Sequence, residues 1–390
     1  MKKYIRSMLD SVTTYLDKYP VVAITGPRQS GKTTFLKTMF PDFTYLNLEN
    51  PDIRNFALQD TRGFFETYSG KLILDEVQRV PHLFSYIQAR VDDSGKMGQY
   101  ILSGSQNFNL MEKITQSLAG RVALFKLFPL DFDEMKHADL LNDDYIKNLI
   151  NGCYPALYDR DIPSKVFYSN YIQTYVERDI SELVQVRDLG LFRKFVKLCA
   201  ARVGQLLNLN SLANECGVSQ PTAKSWITLL ESSYVVFLLY PYFENFNKRI
   251  VKTPKLYFYD TGLAAHLTNQ TNPEKLKISS NKGHLFENMV IAELIKRNEH
   301  NYKQKEFWFW RDSAGHEIDL LVLGDDNMLA VEVKATQTIM SDLFKGLEYF
   351  EDLLQVSNKS CQQYLIYAGN SSQKRTTATV LPWHKAGDLL

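Results

Sequence analysis

Short apolar runs punctuated by polar residues dominate the first third of the chain. Val21 to Ile24, the run within KLILDEVQ (71–78) and the run within QYILSGSQN (99–107) each predict a strand buried on both faces. Residues 191–240 change period: LFRKFVKLCAARVG, SLANECGV and SQPTAKSWITLLESS predict helices, followed by the strand-like YVVFLLYPYF. Further on, GHLFENMVIAELIKR repeats Leu285, Phe286, Met289, Val290 and Leu294 at helical spacing. HEIDLLVLG (316–324) and AVEVKATQT (330–338) then predict strands. In the second of these, Val331 and Val333 face one side while Glu332 and Lys334 face the other. The pattern is α/β in three parts: a parallel sheet with helices over 1–140, a helical part over 141–275, and a smaller α/β part over 276–390.

Composition narrows the class. The 390 residues are 45% hydrophobic and 13% aromatic, as expected of an ordered globular chain. No apolar run approaches the roughly 18 residues of a membrane span, and MKKYIRSMLDSVTTYL carries charges where a signal peptide has its apolar segment. The expectation is a cytoplasmic protein without membrane association. Cys153, Cys199, Cys216 and Cys361 form no C-x-x-C pair, which argues for buried thiols rather than a zinc cluster or disulfide framework. The near-neutral total hides an uneven distribution, with 15 Lys/Arg against 10 Asp/Glu over residues 160–280. That basic excess suits either a polyanion partner or an ordinary solvated surface.

The strongest chemical signal is VVAITGPRQSGKTTFL (21–36), in which a strand runs into G-x-x-x-x-G-K-T and then a helix-compatible segment. Gly26, Pro27, Arg28, Gln29 and Ser30 form the loop. Gly26 and Gly31 permit the backbone angles that turn amides toward phosphates, and the helix opening at Lys32, Thr33 and Thr34 adds its positive dipole end. Lys32 would neutralise phosphate charge and Thr33 would hold Mg²⁺. Asp75, at the end of the next apolar run, would complete the Mg²⁺ shell, and Glu76 would polarise the attacking water. Ser103 and Ser105 either touch the γ-phosphate or belong to a polar loop. Arg121, in SLAGRV, could stabilise transition-state charge in its own subunit or a neighbour's, or be a plain surface arginine.

With GPRQSGKTT, LILDEVQ, LSGSQN and LAGRV, residues 18–135 resemble the AAA-type P-loop ATPase domain of a large set of prokaryotic ATP-binding proteins of uncharacterised role. NGCYPALY (151–158), YIQTYVERDI (171–180) and KLYFYDTGL (255–263) extend the resemblance to the C-terminal domain of unknown function that accompanies it. One departure is Cys153, where a second Gly is expected. The resemblance implies ATP binding, an AAA-type fold and a C-terminal half of nuclease-like architecture; such domains also often form homo-oligomers.

Two further patterns bear on partners. SLANECGV and SQPTAKSWITLLESS, with a Gly217 turn, Ser219 as N-cap and Pro221 in the first turn, match a helix-turn-helix, and the apolar strand that follows makes it winged-helix-like. Its second helix would present Gln220, Thr222, Lys224 and Ser225 to double-stranded DNA, or the unit could dock proteins. Lys248, Arg249, Lys252 and Lys255 form either a basic wing or a solvated hairpin. Glu287 on a helix, Asp319 on a strand and Glu332-x-Lys334 on the next resemble the PD-(D/E)xK nuclease core. In that reading Glu287, Asp319 and Glu332 hold Mg²⁺ or Mn²⁺, and Lys334 orients or activates water. Whether such a fold cleaves DNA or only scaffolds partners is a separate matter.

Overall fold

A computed structural model describes residues 4–104, 114, 117–179, 188–243, 251–324, 327–356 and 360–390. Ser105, Lys248 and Arg249 lie outside the described residues.

The first part is a five-stranded sheet of β1 (Val21–Thr25), β2 (Thr44–Asn47), β3 (Leu72–Asp75), β4 (Tyr100–Ser103) and β5 (Val122–Lys126). All neighbours are parallel, in the order β2-β3-β4-β1-β5. Every residue of β1, β3 and β4 is buried, which is why these strands appear in the sequence as unbroken apolar runs. Because the strands are parallel, the P-loop after β1, Asp75 at the end of β3 and Ser103 at the end of β4 all emerge at one edge.

The central part contains the helices Leu189–Ala200, Leu209–Cys216 and Gln220–Ser232 and the strands β6 (Gln205–Leu206), β7 (Val236–Leu239) and β8 (Lys255–Phe258). The strands form an antiparallel sheet in the order β6-β8-β7. Ser219 caps the last of these helices, its hydroxyl accepting from the Thr222 amide at 3.3 Å. The motifs of 151–158 and 255–263, on either side of these helices in sequence, converge on the buried Asp260. Its carboxylate accepts from the Cys153 amide (2.8 Å), the Tyr168 hydroxyl (2.6 Å) and the Leu263 amide (3.0 Å). These motifs form a structural knot, and Cys153 takes part through its backbone.

The third part begins with the helix Lys282–His300. The strands β9 (Glu306–Arg311), β10 (Glu317–Leu323) and β11 (Met328–Lys334) follow as an antiparallel meander, then the helix Lys345–Val356 and β12 (Gln362–Tyr367), parallel to β11. Two short strands, β13 (Gln373–Lys374) and β14 (Thr379–Pro382), complete the sheet. The β9–β10 register shifts between Ile318 and Leu321, an irregularity that brackets Asp319. The central and third parts share one continuous apolar core, running from Leu130 through Trp226 and Phe286 to Trp383. No helix among the described residues is long and apolar enough to cross a membrane. Cys153, Cys199 and Cys216 are buried free thiols, while Cys361 is half-buried.

Candidate functional site

The P-loop is shaped by close backbone approach. Gly26 has φ +147°, and a Cβ there would lie 2.2 Å from the Leu127 carbonyl oxygen, so only glycine fits. Lys32, the first residue of the following helix, curls back and donates to the carbonyls of Gly26 (2.8 Å) and Pro27 (2.9 Å). Burial pulls its ammonium down to about 8, against the raising influence of Glu76 and Asp75. Among the described residues the Ser30 hydroxyl oxygen is buried without a hydrogen-bond partner, the kind of polar group that a phosphate satisfies.

At the floor, Asp75 gathers three hydroxyls. Thr33 Oγ1 donates to Asp75 Oδ2 at 2.9 Å, the Tyr45 hydroxyl donates to the same oxygen, and Ser103 Oγ donates to Oδ1. Burial and the bond to Asp75 push the Tyr45 phenol upward, so it remains a donor. Thr33 and Asp75 are hard oxygen donors held side by side, a set that fits Mg²⁺. Glu76 follows in a left-handed conformation (φ +57°). A cavity of about 360 Å³ opens above, with Gln29, Lys32, Thr33, Thr34 and Glu76 in its wall together with Arg28 and Gly31. Its other wall comes from outside the sheet domain: Pro155, Asp159, Arg160, Thr174 and Tyr175. Glu49, from the turn after β2, also lines it.

Arg6 is a support that sequence reasoning missed. Only 4% exposed, it donates to the Ser30 carbonyl (2.8 Å) and the Phe128 carbonyl (2.6 Å) and pairs with Glu134 Oε1 at 3.0 Å. Glu134 and Asp131 in turn form a capping box, and Asp131 Oδ2 meets His300 Nδ1 at 2.8 Å. His300 Nε2 accepts from the Phe128 amide at 3.1 Å, so the P-loop surroundings are bonded to the end of the Lys282–His300 helix.

Of the three roles open to Arg121, the geometry speaks against action within its own subunit. Arg121 precedes β5, at the sheet edge opposite the P-loop, roughly 16 Å away at the rise of an extended strand. There it makes a two-pronged pair with Asp92 at 2.6 and 2.9 Å, and it does not reach the nucleotide cavity of its own chain.

The structure brings the buried Glu287, Asp319 and Glu332 and the half-buried Lys334 into one cluster, but not around a common point. Among the described residues, the carboxylates and imidazole of Asp131, Glu134 and His300 are the one group of three potential ligands whose atoms lie within 4.8 Å of one another. Within the expected site, Asp319 and Glu332 are hydrogen-bonded to each other, Lys334 bonds to both, and the Lys255 ammonium stands between Glu287 and Asp319. Lys334 Nζ lies 3.2 Å from Asp319 Oδ2 and pairs with Glu332. Lys255 Nζ lies 3.0 Å from Glu287 Oε1, pairs with Glu317, and is 4.0 Å from Asp319 Oδ1. Burial pushes Glu287 up to about 7, and burial with the neighbouring Asp319 charge holds Glu332 well above the usual carboxylate range. Burial alone would raise Asp319 too, but Lys334, Lys255 and the Val333 amide hold it below that range. The expectation that Glu287, Asp319 and Glu332 share Mg²⁺ or Mn²⁺ therefore does not fit this arrangement. The expectation of a solvated Lys255 is corrected as well: its side chain is 3% exposed.

Three family models match the chain: an AAA domain over residues 18–136, a domain of unknown function (DUF8612) over 142–274, and a domain of unknown function (DUF4143) over 282–386. The first part thus has an AAA-type P-loop fold, which supports ATP binding. An uncharacterized protein of Mycobacterium tuberculosis is 30% identical over 328 residues, spanning 83% of this chain and 72% of that protein. An uncharacterized protein of Methanocaldococcus jannaschii is 24% identical over 342 residues, 79% of this chain and 73% of its own. Among solved structures, the Walker-type ATPase of Pyrococcus abyssi is similar over 67% of this chain and 94% of its own, at 13% identity and a TM-score of 0.46. With an AAA domain followed by two domains of unknown function, the chain belongs to the family of the mycobacterial protein.

Proposed function

We propose that the chain is an ATPase of AAA type whose nucleotide cycle governs how its central and C-terminal parts engage double-stranded DNA. The observation that carries the ATPase reading is the Asp75 carboxylate, bonded to Thr33 and Ser103 beneath the cavity beside Lys32. Lys32, the P-loop amides and the Ser30 hydroxyl would hold the phosphates, and Thr33 and Asp75 would hold Mg²⁺, which offsets phosphate charge when bound. Glu76 would position and polarise the attacking water. Arg28 and Thr34 line the same wall, and Ser103 keeps Asp75 oriented. ATP turnover by the intact chain, lost in Lys32→Ala and in Glu76→Gln, tests this reading; turnover that survives both substitutions removes it.

DNA engagement rests on the central part. Its order of helix, strand, two helices and two strands, with the sheet order β6-β8-β7, supports a winged-helix reading. Gln220, Lys224 and Ser225 are exposed on the second helix of the pair, while Thr222 is half-buried and bonded to Ser219. We place this activity in the cytoplasm. Affinity for duplex DNA should fall steeply with salt, and Lys224→Ala should reduce the salt slope by about one. Salt-independent association, or no DNA binding, favours the second reading: an ATP-dependent protein switch. That reading draws support from the Lys282–His300, β9, β10, β11, Lys345–Val356, β12 order, which is nuclease-like, combined with a carboxylate set closed by lysines. Metal-dependent DNA cleavage is not part of either reading.

A further inference from the structure

We infer that the ammonium of Lys255 is the resident cation of the carboxylate cluster, standing where a divalent metal would otherwise bridge Glu287 and Asp319. The inference rests on the nuclease-like reading of those acids and is independent of ATP hydrolysis.

Lys255 does not belong to the C-terminal part by sequence. It opens β8, the middle strand of the central sheet, and all four residues of that strand are buried. Strand alternation puts Lys255 and Tyr257 on one face, and both reach Glu287: the ammonium at 3.0 Å and the Tyr257 hydroxyl at 2.5 Å. The next residue clamps β8 in place, since the Asn288 side chain accepts from the Phe258 amide (2.7 Å) and donates to its carbonyl (2.9 Å). The lysine is thereby fixed by backbone bonds on a strand, rather than by a long side chain folding onto any nearby acid.

The charges around it are arranged for a fixed monovalent cation. Lys255 faces Glu287, Glu317 and Asp319; Lys334 faces Asp319 and Glu332; Arg311 holds the second oxygen of Glu317 at 2.8 Å. Every acid of the cluster already has a cationic partner. On the far side, a Cβ at Gly346 would lie 2.6 Å from Glu332 Oε1, so the start of the Lys345–Val356 helix presses on that carboxylate. A metal ion entering between Glu287 and Asp319 would have to expel the Lys255 ammonium into a buried surrounding while β8 stays paired on both sides. The site is composite: its acids come from the C-terminal part and its central cation from the part before it. Its role is to hold the two parts together by charge.

The inference makes Lys255 a positioning residue, and its removal should convert the cluster into a metal site. Bound Mn²⁺ would be counted by electron paramagnetic resonance in full-length protein without nucleotide, in an Asp75→Ala background that removes the P-loop ligand. With Lys255 present, no Mn²⁺ should be held by the cluster. Lys255→Met should take up one Mn²⁺ per chain, melt lower than its parent without metal, and recover as Mn²⁺ is added. Adding Glu287→Gln should abolish that uptake. Lys255→Arg, which keeps the charge, should fold and stay free of Mn²⁺; it also serves where the Met variant fails to fold. The inference is overturned by a Glu287-dependent Mn²⁺ in the protein that retains Lys255 or in Lys255→Arg. A folded Lys255→Met that takes up no Mn²⁺ overturns it equally. ATP turnover is judged separately from Lys32→Ala, so failure of the ATPase reading leaves this test standing.

Discussion

The guanidinium of Arg6 donates to the Ser30 carbonyl 2.8 Å away, so the P-loop is held from a segment 24 residues upstream. The same group pairs with the buried Glu134 carboxylate. Arg6→Ala should therefore act twice. Breaking a buried pair from one side costs up to about 3–5 kcal/mol, because the Glu134 carboxylate loses its guanidinium and keeps the Ser7 and Asp131 amides as donors, and this would be read from urea denaturation. ATP affinity should fall as well, since the loop loses its outer support; nucleotide titration of the folded fraction measures that loss. Stability and affinity both matching the wild type would show that the contact is incidental.

Glu76 and Ser103 should separate in kinetics. Glu76→Gln keeps size and polarity but removes the group that polarises water, so kcat should fall by about 10²–10⁴-fold with little change in KM. Ser103→Ala removes only a hydroxyl that orients Asp75, and a smaller loss is expected. Steady-state kinetics on both variants, with nucleotide binding measured independently, checks the order.

For Arg121, distance governs the expectation. Its pairing with Asp92 is at the opposite edge of the sheet from the P-loop, so Arg121→Ala should leave turnover per chain unchanged in dilute solution. Turnover measured over a range of protein concentrations is the test. A loss that appears only at high concentration would place Arg121 at a neighbouring copy's nucleotide and make the chain a working homo-oligomer.

A pH effect should come from Glu293. Burial pushes this carboxyl up to about 7 from 4.5, opposed by Lys296, whose ammonium lies 3.3 Å away. A carboxyl with a raised folded pKa favours the folded state most fully below pH 4.5, and that contribution is lost as pH rises through 7. Glu293→Gln should flatten the stability profile between these limits, by at most about 1.4 kcal/mol per pH unit. Parallel slopes for variant and wild type in urea titrations at several pH values would refute the assignment.

Much of the nucleotide site was legible because P-loop chemistry is local. Gly26 to Thr34 are contiguous, and Asp75 and Ser103 each end an apolar run, so strand parallelism alone brings them to one edge. The acids Glu287, Asp319 and Glu332 were legible as a cluster for a similar reason, one per element. What holds each site lay elsewhere. Arg6 sits in an ordinary N-terminal segment, and nothing in its neighbours signals burial. Lys255 ends a basic run and so reads as part of a wing. The available signal was downstream: LYFYD continues the strand, and the alternation pairs Lys255 with the buried Tyr257. For Arg121 the sequence left three roles open, because adjacency to a glycine says nothing about which end of a strand a residue occupies.

The Lys282–His300 helix has 19 residues and so spans about 28 Å. Near its start are Glu287 and the lysine cluster; near its end Glu293 accepts from the Phe132 amide, Lys296 donates to the Leu130 carbonyl, and Glu299 pairs with Lys126. Tyr302, just beyond, packs on Tyr15 and Phe125 with ring centroids 4.8 Å from each. The three family matches suggest beads that can be cut apart, but a fragment ending at residue 136 would strip the Phe128 and Phe132 amides of their acceptors and uncover the aromatic seam. Excised pieces would aggregate or lose their shape, and silence from one of them would say nothing about the activity of the intact polypeptide.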